Sequence, residues 1–171
     1  MLMKITGSWE LSGLALNQQF MHYADAYLEA SRTQCLAIHN VDAKFNWQNA
    51  VVAMMLAAHS AELFLKSAIL SISPGQKLPG HDLRELTDLY NTLSAGNLPQ
   101  FDNPFETEIP QLEASAVEDL RKLEAPQSIL YRYPADRYGI EWPGAYAFDS
   151  LGFLQIIDCL QEQYTLIKGR I

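Results

Sequence analysis

Cysteine is scarce in this chain: Cys35 and Cys159 are the two in 171 residues. A small secreted scaffold needs several disulfides and a zinc site needs clustered ligands, so neither is expected. Both cysteines fall inside helical patterns and read as buried thiols of a protein in a reducing cytoplasm. Long hydrophobic runs are lacking too. The longest, from Ala50 to Ala58, is far short of the roughly 20 residues that span a bilayer, and His59, Glu62 and Lys66 follow it. The opening stretch Met1 to Gly7 has no basic segment followed by an apolar core, so no secretory signal is read there.

Positive charge is in deficit. Twelve Lys and Arg against 20 Asp and Glu leave a formal charge of −8. Nucleic-acid binding draws most of its affinity from cations set against phosphates, so duplex DNA is not an expected ligand, nor is a membrane surface. Missing as well are a Gly-rich phosphate loop, a Gly-x-Ser-x-Gly elbow, a Cys-x-x-Cys pair and a His-x-x-x-His pair. His22, His39, His59 and His81 are scattered, so no metal and no cofactor are expected.

What is present is helix. Nearly half the residues are hydrophobic and a fifth are charged, the balance of a globular protein. A chain of this length can bury roughly 70% of its unfolded surface as one domain. We read residues 1–171 as a single domain with its core at about 14–168, after a lead-in over residues 1–10. A first helix is predicted from Leu11 to Ile38, fraying near Ser31. The strongest signal runs from Phe45 to Ser71, apolar on most of its circumference, and Ser73-Pro74-Gly75 must end it. A third helix starts at Gly80-His81-Asp82-Leu83-Arg84-Glu85, where Asp82 and Glu85 have capping-box spacing, and ends near Ser94-Ala95-Gly96-Asn97. A fourth is predicted over Phe105 to Glu124, its regular part beginning at Pro110. An ordered loop follows from Ala125 to Gly144, then a last helix from Ala145 to Lys168. No alternating strand pattern is present. The expected fold class is all-α, an up-and-down antiparallel bundle of about five helices.

Three features stand out as candidate sites. His59, Glu62 and Lys66 are spaced i, i+3, i+7, within about 60° of one another on an otherwise apolar helix. Such a stripe faces a neighbour or a cleft, or serves only to fix helix register. If buried, neither charge of the Glu62–Lys66 pair can be left without a partner. His81, at the turn before a helix, is placed for acid–base chemistry, or else merely packs there. The loop Leu130 to Trp142 interleaves Tyr131, Tyr133 and Tyr138 with Arg132 and Arg137. Rings alternating with guanidinium groups can stack on bases, hold phosphates or anchor a protein interface. Alternatively the tyrosines pin the loop to the core and Arg132 answers Glu62. We expect a cleft lined by His59, Glu62, Lys66, His81 and Arg132, with Tyr131 and Tyr133 at its flanks.

The stretch Ala58-His59-Ser60-Ala61-Glu62-Leu63-Phe64-Leu65-Lys66, followed by Gly80-His81-Asp82-Leu83, resembles the HEPN (higher eukaryotes and prokaryotes nucleotide-binding) domains. Members commonly carry Ala-x-x-Glu-x-x-x-Lys and then Gly-His-Asp-Leu. Tyr131-Arg132-Tyr133-Pro134 before a final helix is similar to prokaryotic members, so the likeness covers about residues 15–168. The resemblance implies a bundle that dimerises through its helices. Many members are metal-independent RNases of toxin–antitoxin or defence systems, and some pair with small nucleotidyltransferases. Their catalytic signature is an Arg followed by a His after four to six residues, near the start of a late helix. Here no His follows Arg132 or Arg137; the spacing match is Arg32 to His39, at the end of the first helix. The resemblance therefore implies a binding module for a partner protein, nucleotide or RNA. The alternatives are an endoribonuclease using His81 or His39 with Arg132 or Arg32, and a purely structural dimerisation domain.

Overall fold

The computed structural model describes residues 11–40, 47–106, 131, 138–139 and 148–171. These form four helices and no strand: α1, Leu16–Asn40; α2, Trp47–Ile72; α3, Leu83–Ser94; and α4, Ser150–Lys168. The expected fourth helix, from Phe105 to Glu124, lies outside the described residues except for Phe105 and Glu106, which stand in a turn and bend. Most of the expected loop from Ala125 to Gly144 also lies outside them.

The heart of the fold is the antiparallel pair α1–α2, stitched by side chains that reach the other helix's backbone. Ser67 Oγ donates to the Asn17 carbonyl at 2.7 Å. Ser60 Oγ donates to the Ala24 carbonyl at 2.6 Å, and Ser31 Oγ to the Ala53 carbonyl at 2.7 Å. Each step of seven residues along α1 meets a step of seven back along α2. That heptad register lets small residues sit at the seam and brings the backbones close. Ala24, Ala53, Ala57, Ser31, Ser60 and Ala61 are accordingly fully buried. The third bond also explains why α1 does not fray near Ser31 as expected: the hydroxyl that would compete with the helix is used across the interface.

Two helix starts fall later than expected. Residues 11–14 form a turn closed by Leu14 N–H to the Leu11 carbonyl, so α1 begins at Leu16. The last helix begins at Ser150 because Asp149 caps it, accepting from the Leu151 amide at 3.1 Å. α2 stops where Pro74 and Gly75 follow; Gly75 has φ of 88°, open to glycine without strain. α4 runs antiparallel to α1, tied by Arg32 to Asp158 and Lys168 to Asp25, and buries Phe153, Ile157, Leu160, Tyr164 and Ile167.

By length and composition α2 could cross a membrane, contrary to the expectation from its uninterrupted run, but 78% of its most apolar window is buried inside the protein. Its all-round apolarity is that of a central helix. Of the cysteines, Cys35 is buried as expected and Cys159 is exposed, on the outward side of α4. α3 carries its apolar residues on one face, with Leu83, Leu86, Thr87 and Tyr90 buried. Asp82 accepts from the Arg84 and Glu85 amides at 2.8 and 3.3 Å, and no return bond from Glu85 is present among the described residues, so the box is half made. Asp82→Ala is expected to lower stability by about 1 kcal/mol, measured by urea unfolding.

Candidate functional site

α2 presents Glu62 toward the start of α3, where two donors bond its carboxylate and a second imidazole stands close by. The carboxylate is 3% exposed. Lys66, one turn along and itself buried, donates from Nζ to Oε1 at 2.8 Å. His81 Nδ1 lies 2.8 Å from the same oxygen, across the turn that links α2 to α3. His59 Nδ1 stands 3.6 Å from Oε2, just beyond hydrogen-bond reach. That nitrogen is sealed from solvent with no hydrogen-bond partner, and the Tyr27 ring meets the imidazole edge-on with centroids 4.7 Å apart.

The electrostatics follow from this crowding. Burial alone would raise the Glu62 carboxyl, but the nearby His59 imidazole, the hydrogen bonds from Lys66 and His81, and the Lys66 charge outweigh it and bring it down to about 2. Glu62 is therefore ionised and can only accept hydrogen bonds. Facing it, His81 must donate from Nδ1. The rest of that ring looks outward: the His81 side chain is 65% exposed, whereas Lys66 is 11% exposed at its side chain. The charged edge of α2 thus points inward, and its lysine is used up on its own glutamate.

The other sequence-selected residues fall elsewhere. Arg132 and Tyr133 lie outside the described residues. Tyr131 is part-buried against the core, and that burial pushes its hydroxyl up. Tyr138 is 73% exposed. Arg32 and His39 share the contact between α1 and α4, where Arg32 pairs with Asp158 and His39 Nδ1 lies 3.2 Å from Ser150 Oγ. With separate partners, that pair forms no joint site, and neither residue joins the Glu62 cluster. Tyr27 is the member that sequence reading missed. It sits on α1 among aromatics that look alike in the chain, and only the α1–α2 register sets it against His59. Among the described residues no group of three or more His, Cys, Asp or Glu is arranged to hold a metal ion.

Comparison with known proteins adds nothing to this geometry: no family model, curated protein or solved structure matches the chain. What the described residues define is an all-helical protein with a buried carboxylate, doubly hydrogen-bonded at one oxygen, holding an outward-facing histidine.

Proposed function

We propose that the chain is a HEPN-like helical module that works by binding, as a homodimer in the cytoplasm, with a nucleotide or an RNA end as ligand. The observation that carries this is the Glu62–His81 contact. A buried carboxylate spans 19 residues of sequence to hold one exposed imidazole in a fixed pose at the head of α3. Binding is favoured over cleavage because the Lys66 ammonium, the cation in the cluster, is hydrogen-bonded to Glu62 and buried with it. Phosphate cleavage needs a cation at the phosphate as well as an acid or base. The adjacent-partner reading, a small nucleotidyltransferase or a toxin–antitoxin or defence assembly, belongs to the same proposal and rests on the motif resemblance.

The test is calorimetric titration of the purified protein with ATP and with short single-stranded RNA, comparing wild type and His81→Ala. Wild-type binding that weakens at least tenfold in the variant is expected. No binding to either ligand, or equal binding by both proteins, would overturn the reading.

One observation favours a second reading, a metal-independent endoribonuclease: a carboxylate behind an imidazole is how acid–base catalysts orient their base. RNA cleavage in EDTA by wild type, His81→Ala and Arg132→Ala separates the two. Equal residual cleavage in all three would mean contamination and remove the nuclease.

A further inference from the structure

The protonation pattern of the cluster extends the reading above, and rests on it only for the claim that His81 meets a ligand. Lys66 Nζ is a donor in every state, so it holds an acceptor at the Oε1 position of Glu62. His81 Nδ1 shares that same oxygen. Whenever the ring is neutral it has one proton, and an acceptor facing Nδ1 draws the proton there. Nε2 is then a bare lone pair on the exposed part of the ring, without a partner among the described residues.

We infer that Glu62 is a positioning residue that locks neutral His81 in the Nδ1–H tautomer, so that the site offers its ligand a hydrogen-bond acceptor at Nε2. An acceptor suits the hydroxyl or amino group of a nucleotide and is a poor match for its bare phosphate oxygens. The helix start is already occupied: Asp82 accepts from the Arg84 and Glu85 amides, where a phosphate would otherwise settle, and the part-exposed Arg84 is flanked by the acidic Asp82, Glu85 and Asp88. The class of ligand contact is therefore an O–H or N–H donor, and at a ribonucleotide the ribose hydroxyls are the nearest such groups to hand.

The experiment is nitrogen-15 NMR of the histidine rings, read on the neutral form of His81. In wild type the His81 Nδ1 signal is expected in the protonated-nitrogen range and Nε2 in the bare-nitrogen range. Glu62→Gln should preserve the pattern, because Lys66 keeps the amide oxygen at the Oε1 position. Glu62→Leu should lose it and shift His81 toward a proton on Nε2. A purely structural role for Glu62 would move stability without moving this signature. Wild-type His81 protonated on Nε2 would overturn the inference outright, and this measurement holds even if Glu62→Leu fails to fold. The same samples titrated with adenosine and with 2′,3′-dideoxyadenosine test the ligand class. Perturbation of Nε2 by adenosine alone supports it, and equal response to both overturns the hydroxyl contact. The tautomer as stated with no response to either nucleoside, nor to ATP or RNA, would leave the lock standing and remove the binding function instead.

Discussion

Replacing Glu62 by leucine is expected to lower stability by about 3–5 kcal/mol. The reason is Lys66. Its side chain is 11% exposed, its ammonium donates to Glu62 Oε1, and removing the carboxylate strands that charge in a low-dielectric interior. Removing both charges is a different matter: Glu62→Leu with Lys66→Met should recover most of the loss, because two apolar side chains of similar size replace a pair that had to be desolvated to fold. A double-mutant cycle by urea unfolding checks this, and a double variant no more stable than Glu62→Leu alone would contradict it. The same group shapes the acid limb. An ordinary value of 4.5 falls to about 2 in the folded protein. A carboxyl lowered by folding stabilises above its unfolded value and loses that contribution as pH falls through its folded one. Glu62 should therefore contribute on the order of 3 kcal/mol above pH 4.5, declining between 4.5 and 2. In the double variant that part of the acid-unfolding profile should flatten.

Phe64→Ala should cost as much, about 3–5 kcal/mol, for an unrelated reason. Phe64 has no exposed surface and stacks on Tyr164 with centroids 3.8 Å apart and planes 4° from parallel, and the Phe101 ring is also near, its centroid 6.1 Å away. So close and parallel a pair has little lateral offset, and facing ring quadrupoles gain little from it. The stabilisation comes from area removed from water and from the cavity left by truncation. Phe64→Leu, which keeps most of the volume, should therefore recover more than half of the loss, and the Phe64–Tyr164 coupling in a cycle with Tyr164→Leu should stay below about 1 kcal/mol. Thermal unfolding reads both. Tyr164 is held independently by its hydroxyl, 3.0 Å from Ser60 Oγ, so the ring keeps its place when Phe64 is shortened.

Much of the architecture could be read along the chain. The Pro74-Gly75 stop, the Asp82 cap and the apolar circumference of α2 are local chemistry, written in neighbouring residues, and the helices they imply stand within a few residues of expectation. The late starts at Leu16 and Ser150 show where that reading is weakest: a preceding turn delays one helix and the Asp149 cap fixes the other, while apolar spacing runs past the boundary. The stripe His59, Glu62, Lys66 was visible as a pattern because charge on an apolar helix demands a partner. Two of the residues expected at that cleft, Lys66 and His81, answer Glu62 among the described residues, and Arg132 lies outside them. What was not visible is Tyr27, which stands behind His59.

The chain alone thus determined that helices form, where they break, and that an ion pair on α2 must turn away from water, because these follow from backbone geometry and desolvation within a few consecutive residues. Only the tertiary structure decided that Asn17, Ala24 and Ser31 meet Ser67, Ser60 and Ala53, and that the α2–α3 turn carries His81 back onto Glu62. Those contacts join residues from 19 to 50 positions apart. Their partners are selected by how two helices dock, a property of surfaces that periodicity within either helix leaves open.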